Sequence, residues 1–112
     1  PMDKSNNTHN NYAKPIFSWG NSFGVSNLIV YENQYFKKWN KNIIVSSLAG
    51  QKLARFVYDY KNNSVLYLEY IPINKRIRDI SILDNGNIVL LTDIGDNIED
   101  HAEIILISKS EK

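Results

Sequence analysis

Lys75-Arg76-Ile77-Arg78-Asp79-Ile80-Ser81-Ile82-Leu83-Asp84-Asn85-Gly86-Asn87-Ile88-Val89-Leu90-Leu91-Thr92-Asp93 reads as a β-hairpin. Arg76 to Leu83 alternates charged or polar residues with Ile77, Ile80 and Ile82. Asp84-Asn85-Gly86 then supplies residues that tolerate positive φ, and Ile88 to Leu91 is a continuous apolar strand. A short Asn-Gly connection between two β-branched runs is among the stronger local hairpin signals. Arg76 and Arg78 stand at i and i+2, so in an extended chain both guanidinium groups leave one face, roughly 6–7 Å apart. Two planar cationic forks on one face suit a flat anion carrying several carboxylates. Surface arginines capping a sheet end are the plainer reading of the same pair.

The pattern around the hairpin repeats it. Residues 1–14 are polar and asparagine-rich without periodicity, and are expected to be a flexible tail. Pro15 to Trp19 reads as a short strand opening on proline, where a missing amide is tolerated. Strands are expected over Asn27 to Tyr31, Ile43 to Leu48, Lys52 to Asp59 and Ser64 to Ile71, and over Ala102 to Ile107 after the hairpin. Leu53, Phe56 and Tyr58 are expected inside, with Lys52 and Arg55 exposed. Tyr35, Phe36 and Trp39 lie in the longest connection and are expected to fold back as a hydrophobic plug. Nothing reads as helix. The chain is therefore all-β, an antiparallel meander of about eight strands.

Two units share one pattern. Leu28 to Tyr31 corresponds to Ile80 to Leu83 at an offset of 52, Ile43 to Val45 to Ile88 to Leu90 at 45, and Leu53 to Ile104 at 51. Units of about 40–50 residues with four strands each are what propeller blades look like. Blade-like units are expected over 28–71 and 76–108 within one β domain spanning 15–112, with 15–19 as the outer strand of the second unit.

Composition narrows the function. With 13 basic and 12 acidic residues the net charge is +1, which gives no electrostatic case for nucleic acid or a membrane surface. No apolar run approaches the ~18–20 residues of a membrane span. There is no cysteine, so redox compartment is unconstrained. No signal peptide is visible, because Met2 is followed by Asp3-Lys4-Ser5-Asn6-Asn7 rather than an apolar stretch. Pro1 reads as a residue left by tag cleavage, and Met2 either as the start of a natural reading frame or as an added methionine, with neither favoured. The acidic loop with Asp93, Asp96, Asn97, Glu99 and Asp100 lacks the spacing of a twelve-residue calcium loop and reads as a solvated surface loop. His9 falls in the tail and His101 beside the acidic loop. No nucleophile–base constellation, P-loop or Cys/His cluster is present.

The ordered motifs carry a resemblance. Arg76-Ile77-Arg78-Asp79, Leu83-Asp84-Asn85-Gly86 and Leu90-Leu91-Thr92-Asp93 resemble the R-x-R-D, P-D-G and L-T-D series of the soluble pyrroloquinoline-quinone (PQQ) dependent aldose sugar dehydrogenases, the glucose/sorbosone dehydrogenases. Pro15 to Trp19, Val25-Ser26, Val30-Tyr31, Phe36 to Trp39 and Ile43 to Leu48 follow the same family's order upstream, so the likeness runs from Lys14 to Ser108. It implies roughly the C-terminal two blades of a six-bladed β-propeller. The implied chemistry is oxidation of an aldose at the anomeric carbon, with hydride transfer to PQQ. Arg76 and Arg78 match the family's cofactor-contacting pair. The family's cofactor lysine falls at Ala49, which supplies no charge, and the catalytic histidine and the calcium loop belong to blades outside this stretch. The resemblance therefore implies a chain inactive alone, or alternatively a non-catalytic propeller-derived module binding a sugar or a protein. Relatives are periplasmic or secreted. A two-blade unit cannot close a ring and leaves apolar faces in water, so a homo-oligomer is expected. Three copies would complete six blades, and a strand-exchanged dimer is the second choice.

Overall fold

The hairpin forms, and its irregularity was written in the spacing of its isoleucines. In the computed structural model, which describes residues 15–20, 22–94 and 101–110, β5 is Ile77–Ile82 and β6 is Ile88–Thr92. Ile77 and Ile80 are three apart, yet both are buried on one face. A strict period of two cannot do this. A β-bulge between Ile77 and Asp79 absorbs the extra residue, so Ile77 pairs with Thr92 and Asp79 with Leu91. The connection is a turn from Leu83 to Gly86, closed by Gly86 N–H donating to Leu83 O at 2.9 Å. Of the three turn residues only Gly86 takes positive φ, at 93°.

Before the hairpin lie β1 (Val25–Tyr31), β2 (Asn42–Ser47), β3 (Lys52–Asp59) and β4 (Ser64–Pro72), and after it β7 (Ile104–Ile107). All neighbours are antiparallel, in two sheets ordered β1-β2-β3-β4 and β5-β6-β7. The class is all-β as expected, with seven strands rather than about eight among the described residues. Residues 15–20 form no strand. They lie on the first sheet instead of beside β7: Phe17 stands 5.1 Å from Phe56, and Trp19 stacks on Phe23 at 4.7 Å. Ring packing wins because aromatic burial outweighs a few main-chain bonds to a four-residue edge strand. The polar tail, residues 1–14, lies outside the described residues, as does the acidic loop from 95 to 100.

The two units are equivalent pair by pair. Leu28 pairs with Val45, Ile29 with Ile44 and Val30 with Ile43. The offsets carry these pairs onto Ile80 with Leu90, Ser81 with Val89 and Ile82 with Ile88, which are the pairs of the second sheet. Ser46 with Leu53 becomes Leu91 with Ile104. Even the bulge recurs, between Val25 and Asn27.

The main core lies between the sheets. Tyr31, Ile44 and Leu53 of the first meet Ile77, Ile80, Ile88 and Leu90 of the second, with Phe36 and Trp39 packed against them as the expected plug. Polar bonds also cross this interface. Ser26 Oγ–H donates to Ile77 O at 2.6 Å, Asn27 Nδ2–H to Asp79, and the Tyr31 hydroxyl to Gly86 O. Arg55, expected exposed, is only 12% exposed. Its guanidinium donates to Glu69 at 2.8 Å and Asn42 at 2.6 Å and lies over Trp39. Arg55 stands opposite buried Ile44, on the face that meets the second sheet, where Trp39 covers it, so its charge is paired there rather than solvated.

Candidate functional site

Antiparallel order puts the starts of β1, β3, β5 and β7 and the ends of β2, β4 and β6 at one end of the molecule. The loops there are tied together. Leu48 N–H donates to Gly24 O at 2.8 Å, Gly50 N–H to Phe23 O at 3.0 Å, and Ile73 and Asn74 N–H both reach Gln51 O. Asp93 N–H donates to Arg76 O at 2.8 Å, which closes the hairpin ladder at its open end. The register fixes this: with Ile77 opposite Thr92, Asp93 must stand opposite Arg76.

Both arginines converge on that carboxylate. Arg78 Nη2 lies 3.3 Å from Oδ1 of Asp93, and Arg76 Nε lies 3.7 Å from Oδ2. The bulge at Arg78–Asp79 is what lets Arg78 reach it while Ile77 and Ile80 stay buried. The Asp93 carboxyl is held below the usual carboxylate range, first by the Ile94 N–H, then by the Arg78 hydrogen bond and by the charges of Arg78 and Arg76, against a small desolvation. One carboxylate answers two guanidinium groups, so the cluster keeps a net positive charge. Among the described residues Arg76 Nε, which is buried, has no hydrogen-bond partner, and Arg78 is 62% exposed. Such a cluster can accept an anion, with Arg78 as the group that reaches outward.

The spacing of Arg76 and Arg78 had shown the pair but not its counter-ion. The signal for Asp93 was present, because it mirrors Arg76 across the hairpin. Ala49 lies at this same end, in the loop bonded to Phe23 and Gly24. Beside it a cleft of about 450 Å³ is lined by Trp19, Phe23, Ala49, Lys52 and Tyr70, with the Lys52 ammonium 4.9 Å from the Tyr70 ring centre. Lys52, not singled out from the sequence as a site residue, is the cation nearest in sequence to Ala49, where the resemblance places the family's lysine. His101 is exposed, and His9 lies outside the described residues. Among the described residues no three His, Cys, Asp or Glu side chains gather as a metal site, and no helix is long and apolar enough to cross a membrane.

Two repeated antiparallel sheets, stacked through their faces and bonded together at a loop end that carries paired arginines, define an all-β chain built of blade-like units. The chain belongs to the Glucose / Sorbosone dehydrogenase family, whose profile matches residues 1–105. It is similar to a solved glucose dehydrogenase, with a TM-score of 0.73 and 25% sequence identity, over 88% of this chain and 27% of that one. The chain thus spans about a quarter of that relative's length. No curated protein matches it.

Proposed function

We propose that this chain is the two-blade, cofactor-facing part of a sugar-oxidising scaffold, and that Arg76 and Arg78 bind the carboxylates of PQQ at its loop end. The observation that carries this is the shared carboxylate: two guanidinium groups on Asp93, with Arg76 Nε ion-paired to it but without a hydrogen bond among the described residues. An anion with more than one carboxylate would take up the surplus charge, with Arg78 gripping it and Arg76 held in place by Asp93. Bound there, PQQ would supply the hydride acceptor for an aldose. The chain's own residues bind and orient; none of the described ones is placed as a base for the sugar hydroxyl. The described residues do not fit calcium, and no step is assigned to it. Sugar oxidation therefore needs groups beyond these residues, and the isolated chain is proposed to bind without turning over.

Ala49 favours a second reading, a non-catalytic module that keeps the scaffold and binds a sugar or protein. A titration separates the two. PQQ added to the purified chain, followed by its absorbance and by the thermal midpoint, should bind to the parent and more weakly to Arg78→Ala. A parent that neither perturbs the spectrum nor gains stability would leave only the second reading.

A further inference from the structure

Arg78 is the residue that the β5 bulge leaves without a cross-strand partner. Ile77 pairs with Thr92 and Asp79 with Leu91, and Arg78 stands between them. A bulge re-aims the side chain it carries. The first sheet has the same bulge at Ser26, the position equivalent to Arg78 at the offset of 52. There the side chain turns into the interface, and its hydroxyl donates to Ile77 O at 2.6 Å. The bulge thus belongs to the repeat, and the charge aimed from it belongs to the second unit alone.

Asp93 is the fixed member of the pair. Its N–H donates to Arg76 O at 2.8 Å, its Oδ1 accepts the Ile94 N–H at 3.0 Å, and its side chain is 24% exposed. Arg78 is the movable member, mostly exposed and held on Oδ1 through Nη2 at 3.3 Å. An ion pair so open to water is worth little and is readily exchanged. Arg76 stands deeper, with its buried Nε 3.7 Å from Oδ2. The other carboxylates beside the arginines are engaged elsewhere. Asp79 accepts from Asn27 and from the Ile80 N–H, and Glu103 lies 3.3 Å from the Lys75 ammonium. Among the described residues, Asp93 is the carboxylate that fills the anion seat of Arg78.

We infer that Asp93 is an internal stand-in for a ligand carboxylate: it holds Arg78 in the unliganded chain, and an incoming carboxylate takes Arg78 from it while Arg76 stays paired. The inference rests on reading Arg76 and Arg78 as an anion site, and adds the residue that sets the affinity of that site. The carboxylate that aims Arg78 also repels a ligand carboxylate at close range. Removing its charge while keeping its shape should therefore tighten binding. If Asp93 only positioned Arg78, the same change would loosen it.

Asp93→Asn makes that change, since its amide oxygen still accepts the Ile94 N–H; circular dichroism checks that it folds. One readout needs no ligand. Phenylglyoxal attacks guanidinium groups, and mass spectrometry maps the adducts. Arg78 should be labelled several-fold faster in the variant, while Arg55, bonded to Glu69 and Asn42, should not change. The second readout is titration with PQQ and with citrate, a tricarboxylate without aromatic rings. Both should bind the variant roughly tenfold tighter, a like charge having been removed. Unchanged labelling of Arg78, or citrate binding equal to or weaker than the parent's, would overturn the inference. PQQ bound by neither protein while citrate binding tightens would overturn the cofactor reading and uphold the stand-in. PQQ bound by the parent with no gain in the variant would overturn the stand-in alone, and no binding of either anion would overturn both. If Asp93→Asn fails to fold, Asp93→Ser repeats the test.

Discussion

Arg78 illustrates how one guanidinium can matter to a ligand and little to the fold. It is mostly exposed and shares Asp93 with Arg76. Arg78→Ala should leave unfolding free energy within roughly ±0.5 kcal/mol. If the proposed role holds, it should cost roughly 1.5–3 kcal/mol of PQQ affinity, the scale of a charge-assisted bond. Equal affinity in parent and variant, measured by titration calorimetry, would remove Arg78 from the site. Asp93 adds a pH signature. Its folded pKa is depressed, so its contribution to stability is present above the unfolded value of about 3.9 and is lost as pH falls through the folded value. The stability difference between the parent and Asp93→Asn, read from urea curves, should therefore be level near neutrality and shrink below about pH 4. A difference that persists undiminished in acid would mean that Asp93 acts through geometry rather than charge.

At the scale of elements, the β5–β6 turn is where the two sheets are locked together. Gly86 has φ of 93°, and a methyl group there would meet Tyr35 and the Asn33 side chain. Gly86→Ala should cost roughly 2–4 kcal/mol, combining an unfavourable φ with overpacking. Gly86 O also accepts the hydroxyl of buried Tyr31, whose oxygen in turn accepts the Phe36 N–H at 3.3 Å. Tyr31→Phe keeps the ring and leaves both backbone groups short of a partner, so about 1–3 kcal/mol should be lost. The denaturant midpoint should move with an unchanged m-value. A neutral Tyr31→Phe would show that the hydroxyl bond contributes nothing net to joining the sheets.

For the whole molecule, exposed apolar surface carries the consequence: Leu28, Val30, Leu91, Ile104 and Leu106 are all more than a third exposed. Trp19 and Phe23 close over Val45, Ala54 and Phe56 on the first sheet's outer face, while Leu28 and Val30 beside them and Ile104 and Leu106 on the second sheet stay exposed. Association in the folded state alone makes stability depend on concentration. The parent's thermal midpoint should rise as the chain is concentrated, and that of Leu28→Asp should not. A midpoint that is independent of concentration in both would agree with a self-sufficient monomer.

The sequence by itself determined the strand pattern, the repeat and the family. Period-two runs and turn residues are local, and a repeat needs only like residues at like spacing. Offsets read from Leu28, Ile43 and Leu53 reproduced the pairing register of both sheets. The three-residue step from Ile77 to Ile80 already contained the bulge. Only the tertiary structure decided what each face meets. It placed Phe17 and Trp19 on the first sheet rather than as a strand beside β7, and it buried Arg55 against Glu69 and Asn42. It also brought Arg78 onto the Asp93 carboxylate that the hairpin register already sets opposite Arg76. Those outcomes depend on which side chains fill a shared space across long sequence separations. Local propensity and spacing cannot decide that, because burial is a property of the partner as much as of the residue.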